Sequence, residues 1–123
     1  NRPIRVSKET KLEDSRVGTG FYYSKAKELR DEMGIFSRMN EHCLAVRRPG
    51  SAALDLAQVA CGRYDGFWER GLSPWDVAAG FLIVEEAGGK ISNYSGKTTT
   101  PFEKQVIASN GLLHKKMVNA IHG

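Results

Sequence analysis

The apolar positions of this chain change period several times, and each change marks a new strand or helix. Ile4 to Lys8 alternates apolar and charged residues, and Arg16 to Tyr23 is a run carrying β-favouring Val17, Thr19, Phe21 and Tyr22; both are predicted strands. From Ser24 to about Ala45 the apolar residues Leu29, Met33, Phe36, Met39 and Cys43 recur every three or four positions. That spacing predicts an amphipathic helix, with Gly34 a weak point in its middle. Pro49-Gly50 breaks the pattern. Ser51 to Cys61 is a second predicted helix, rich in alanine and closed by Gly62, and so many small side chains imply close packing on a neighbouring element.

Arg63 to Glu69 is a short predicted strand. From Val77 onward the chain is apolar almost all round, so the helix there is expected inside a layered domain and not on its surface. Ser73 and Pro74 read as its N-cap and first helical residue, which puts Asp76 at the third helical position beside the free amides of the first turn. Gly88-Gly89 supplies a left-handed stop. Lys90 to Tyr94 and Gln105 to Ser109 follow as two more strands around a threonine-rich connection, and Leu112 to Ile121 as a last amphipathic helix. Strands that alternate with helices predict an α/β fold: a mixed, partly parallel sheet of about five strands with helices on both faces. With no internal repeat, low-complexity tract or linker, residues 1–123 read as a single domain.

Composition narrows the class. At 123 residues, 41% apolar and 26% charged, the chain suits one core rather than a disordered or fibrous state. No apolar run approaches membrane-spanning length, and no basic segment followed by an apolar block opens the chain, so neither a membrane span nor a secretory signal is expected. The first residue, Asn1, in place of methionine hints at a processed or truncated product. Cys43 and Cys61, too far apart for a zinc or redox pair, are expected as two small buried thiols in a reducing cytoplasm. The net charge of +4 is scattered, with only Arg47-Arg48 and Lys115-Lys116 adjacent, which argues against a dedicated nucleic-acid binder.

Chemistry could sit in three places. Ser73-x-x-Asp76 has the form of a capping box, in which the acid merely reaches back to the N-cap; turned outward, the same carboxylate could bind an oxygen-loving cation such as magnesium. Glu69, at the end of its predicted strand, lies seven residues before Asp76. The intervening turn could bring it to the same crevice as an acceptor for vicinal hydroxyls, or it could simply pair with Arg63 or Arg70. Gly50, Ser51 and Ala52 open a helix with free amides and a hydroxyl, which suits an anion or polyol as well as a plain cap. His42, His114 and His122 share no metal-like spacing and read as surface or satisfied histidines.

Taken together, RRPGSAALDLAQVACGRYDGFWERGLSPWDVAAGFLIVEEAGGKIS closely resembles the C-terminal half of the inositol monophosphatase family, magnesium-dependent and lithium-sensitive sugar-phosphate phosphatases. WDVAAGFLIVEEAGG matches the family's C-terminal signature, and the likeness runs from Ile4 onward, including VGTGF. The resemblance implies that Asp76 ligates the second catalytic Mg2+ and that Gly50, Ser51, Ala52 and Glu69 face the hydroxyls of the substrate. It also implies a homodimeric whole enzyme. Members work by in-line attack of metal-activated water on phosphorus between paired cations.

The departure is as informative. The family's first metal glutamate, its Asp-Pro-x-Asp-Gly-Thr segment and its water-activating threonine have no counterpart here. Cations about 4 Å apart need several convergent carboxylates, so Asp76 with Glu69 is expected to bind magnesium poorly, and these residues alone are expected not to hydrolyse phosphate esters. The whole enzyme is expected to act on inositol monophosphate or a related small sugar phosphate. Alternatives are a relative cleaving fructose bisphosphate, histidinol phosphate or nucleotide bisphosphate, or a non-catalytic module in an RNA or transcription complex.

Overall fold

Two consecutive residues of one strand, Phe67 and Trp68, show how the layers form: each is fully buried, and they point to opposite faces of the sheet. In the computed structural model, which describes residues 3–20 and 26–123, five strands pair in the order β2-β1-β3-β5-β4. They are β1 (Arg16–Thr19), β2 (Ala45–Arg47), β3 (Gly66–Arg70), β4 (Lys90–Ser92) and β5 (Gln105–Ser109). β1 runs parallel to both β2 and β3, while β5 is antiparallel to β3 and β4, so the sheet is mixed as expected.

Helices α1 (Ala26–His42) and α4 (His114–His122) cover one face, where Val17, Trp68 and Ile107 meet Ile35, Met39 and Met117. Helices α2 (Ala52–Ala60) and α3 (Pro74–Glu86) cover the other, where Phe67, Val106 and Ala108 meet Leu56, Val59, Phe81 and Val84. Each large side chain removed from water this way contributes roughly 1.5–3 kcal/mol. Helix α2 packs closely on a neighbour, as its small residues implied, and α3 supplies the gap: a Cβ on Gly80 would sit 2.5 Å from Leu56 Cδ1.

Several expectations change. Ile4 to Lys8 is extended but joins no ladder. Val6 N–H donates to Ala87 O at 3.1 Å, and Ser7 and Glu9 are tied by side-chain bonds to Asp65 and Asn110, so side chains hold what strand pairing does not. The long helix ends at His42, three residues short of its expected end at about Ala45, and Ala45 with Val46 and Arg47, for which the sequence predicts no strand, forms edge strand β2 in parallel register with β1. Helix α3 is not enclosed: Val77, Gly80, Phe81 and Val84 are buried, but Trp75 is 82% and Leu82 58% exposed. Its uniform apolarity covers two faces, and only one of them meets this domain. Cys43 is half-buried and Cys61 exposed, so the expectation of two buried thiols holds for neither in full. Phe21 to Tyr23, and the start of the predicted helix at Ser24, lie outside the described residues.

His114 is a satisfied core histidine. Its Nε2 lies 2.6 Å from Ser92 Oγ and its Nδ1 2.8 Å from Ser109 Oγ, and burial, with Lys90 nearby, lowers its pKa to about 4. No helix among the described residues is long and apolar enough to cross a membrane.

Gly34 gives the first prediction. It lies inside α1, and a Cβ there would meet only Arg38 Nη1, at an ordinary 3.5 Å. Gly34→Ala is therefore expected to raise unfolding free energy by about 0.5–1 kcal/mol, seen as a higher urea midpoint at unchanged slope. A lower midpoint would contradict it.

Candidate functional site

Strands β2, β1 and β3 are mutually parallel, so their carboxyl ends reach the same edge of the sheet, and helices α2 and α3 begin there. A crevice at that edge is where α/β sheets bind ligands. A cleft of about 450 Å³ occupies it, lined by Gly20, Arg48, Gly50, Ser51, Ala52, Glu69 and Asp76, among others. Every residue singled out from the sequence as a ligand therefore faces one cavity.

Each is placed by local rules. Gly50 has φ +94° with nothing near its missing side chain, so it is glycine for backbone conformation and not for space. Ser51 is the N-cap of α2: its Oγ accepts from Leu54 N–H at 3.3 Å, which leaves the hydroxyl proton free to donate. The N–H groups of Ala52 and Ala53 belong to the first turn and have no helical acceptor. At the start of α3 the capping box is present. Asp76 Oδ2 accepts from Ser73 N–H at 3.3 Å and from Ser73 Oγ at 2.5 Å, while Oδ1 has no hydrogen-bond donor among the described residues. The cap thus occupies one oxygen of Asp76 and leaves the other without a hydrogen bond among the described residues.

Glu69 lies against the end of β1 because residue 20 is glycine: a Cβ there would fall on Glu69 Oε1. Burial raises its pKa to about 7, helped by the nearby carboxylates of Asp55, Glu32 and Asp76 and opposed by Arg48. The expected partners do not claim it. Arg70 instead lies 3.5 Å from Glu32 across the sheet, and Tyr94 OH donates to the same buried acid at 2.9 Å.

Asp55 is the residue that sequence reasoning missed. It is 1% exposed, its carboxyl lies over Gly18, and among the described residues neither oxygen has a hydrogen-bond partner. Burial raises its pKa to about 7. Asp55 lies against Gly18 in β1 and Glu69 against Gly20 just past its end, so the two acids are near neighbours and the charge of Asp55 raises the cost of ionising Glu69. A signal was present: Asp55 falls one turn before Val59 and Ala60 on the buried stripe of α2, where an acid is out of place.

The cleft brings hard oxygen donors, a polarised helix start and one cation together. Among the described residues, no group of three or more His, Cys, Asp or Glu side chains could close around a metal ion. What it can do chemically is hold hydroxyls at Glu69 and Ser51, and offer Asp76 Oδ1 to a cation that keeps water or takes ligands from elsewhere.

Comparison with known proteins identifies the family and the fold. The sequence model of the inositol monophosphatase family matches residues 1–123. An inositol-1-monophosphatase of Synechocystis sp. is 44% identical over 120 residues, covering 98% of this chain and 42% of that protein. The Nus factor SuhB of Pseudomonas aeruginosa is 40% identical over 122 residues, covering 98% and 45%. The structure of an inositol monophosphatase from Anabaena (Nostoc) sp. superposes with a TM-score of 0.93 at 44% identity, over 98% of this chain and 48% of that one. The chain thus spans less than half the length of these relatives.

Proposed function

Because the chain belongs to the inositol monophosphatase family, we propose that it is the substrate-side half of a magnesium-dependent phosphatase acting on inositol monophosphate or a related small sugar phosphate. The observation that carries this reading is the shared cleft, in which Asp76 Oδ1, Glu69 and the start of α2 line one cavity. Magnesium suits the donor set in part: it binds through one or two carboxylates plus water and phosphate oxygens, and Asp76 is the residue that would hold it. When bound, such an ion supplies Lewis acidity toward a phosphoryl oxygen. Glu69 accepts substrate hydroxyls, Ser51 donates to another, and the free amides of Ala52 and Ala53 favour negative charge at the helix start. The remaining metal ligands would come from a segment absent from these 123 residues, which accounts for an incomplete carboxylate set and for the exposed apolar face of α3. These residues alone are inactive in this reading, and the complete protein is a cytoplasmic homodimer.

The Nus factor relative supports a second reading, a module of a transcription complex that uses the same surface without chemistry. Joining these residues to their natural upstream sequence and measuring magnesium-dependent phosphate release from inositol 1-phosphate separates the two. Turnover supports the phosphatase; an inert protein that binds RNA or a polymerase subunit supports the module.

Glu69 adds a pH signature. With its pKa raised to about 7, the carboxyl is neutral below that pH and accepts hydroxyl protons less well, so KM is expected to rise as pH falls through about 7. Glu69→Gln should raise KM roughly tenfold or more and abolish that inflection. An unchanged KM profile in the Gln variant would remove Glu69 from substrate binding.

A further inference from the structure

A second cleft, of about 520 Å³, lies on the opposite face of the sheet, between α1, the end of β3 and the last turn of α4. Glu69 and Arg70 are consecutive in β3, yet Glu69 lines the first cleft and Arg70 the second. On α1, Arg30, Gly34 and Arg38 are four residues apart in turn, so they form one stripe about 12 Å long with a gap at its centre. The glycine that weakens the helix is therefore also what opens a notch between two guanidinium groups.

Arg38 is held for this position. Its Nε donates to Ala120 O at 3.2 Å and its Nη2 to Ile121 O at 2.5 Å, which fixes the planar group and leaves Nη1 beside Gly34. Among the described residues, neither Arg30 nor Arg38 has a carboxylate within ion-pair distance. Arg70 is neutralised by Glu32 and stacks over Tyr94, its charged centre 5.5 Å from the ring centroid. Among the described residues, Asp31 is the acid on the cleft wall with no ion pair, so the two arginines of α1 leave the cleft with a positive balance.

We propose that this cleft binds a small phosphorylated metabolite, its phosphate seated over Gly34 between Arg30 and Arg38 and its organic part against Tyr94 and Gln105. Guanidinium forks match phosphate oxygens in charge and geometry, and the volume is that of a small-molecule site. The site is separate from the candidate phosphatase cleft and does not depend on that cleft's chemistry.

Titrating the 123-residue protein with pyrophosphate in a metal-free chelating buffer, by calorimetry and by amide NMR, tests it. Binding on the order of 1 mM or tighter is expected, with shifted amides around residues 30–38. Arg30→Glu, at an exposed position, and Gly34→Leu, which fills the notch while improving helix propensity, are each expected to weaken binding by about tenfold or more with the circular dichroism spectrum intact. Lys115→Glu, an equal charge change elsewhere on the surface, should weaken it less than about twofold. No binding, or binding that neither α1 variant weakens, or that Lys115→Glu weakens as much, would overturn the proposal.

Discussion

Asp76→Asn is expected to lower turnover of the complete, upstream-joined protein by at least about a hundredfold, because in the proposed phosphatase the amide oxygen replaces an anionic ligand of a catalytic cation worth several kcal/mol to the transition state. The same substitution should barely affect folding. Asn can still accept from Ser73 N–H, so the cap survives, and the stability change is expected to stay within about 1 kcal/mol. Ser73→Ala separates the two roles from the other side: it removes the hydroxyl that donates to Asp76 Oδ2, costs up to about 1 kcal/mol, and leaves most turnover in place. Thermal melts and magnesium-dependent kcat on the three proteins decide the matter. If the Asn variant is as fast as the parent, Asp76 is only a capping residue.

Asp55→Asn is expected to stabilise the fold at neutral and alkaline pH. The Asp55 carboxyl has a pKa of about 7 in the folded chain against an ordinary 3.8, because burial disfavours its charge and no partner compensates. Between these values the folded protein holds a proton that the unfolded chain has released, so stability falls as pH rises from about 3.8 to about 7 and then levels off. Full development of that difference corresponds to about 4 kcal/mol. Asn has the same shape and no charge to lose, so its advantage over the parent should widen by about 2–3 kcal/mol between pH 5 and pH 8, a Tm difference of roughly 10 °C. Urea unfolding at the two pH values measures it, and an advantage that does not change with pH would show that the carboxyl is stabilised by something burial does not capture.

Much of this molecule was legible along the chain. Periodicity located α1 and α4, small residues between two breaks located α2, a cap followed by a continuous apolar run located α3, and turn chemistry fixed Ser51, Ser73 and Asp76 at their caps and Gly62 and Gly88 in left-handed stops. These features were readable because they depend on neighbours within about four residues. The candidate ligands were legible for a different reason: VGTGF, GSA, FWE and WD carry a family resemblance, and the fold then gathered Gly50, Ser51, Ala52, Glu69 and Asp76 on one cleft.

Edge strand β2 was hidden because three residues, the first at the end of a helical pattern and the others with no pattern of their own, become a strand only when β1 offers them a parallel partner. Ile4 to Lys8 was misread for the converse reason, since alternation marks an extended segment whether or not a ladder receives it. The open face of α3 could not be seen either, because apolar residues all round a helix say how much surface needs cover and not where the cover lies. What the sequence determined by itself was the set of local conformations and the identity of the polar groups at the helix starts. Which acids share a cleft, which are stranded without partners, and which arginines face each other across a missing side chain were decided by packing, because those relations join residues far apart in the chain and exist only once the sheet has brought them within a few ångströms.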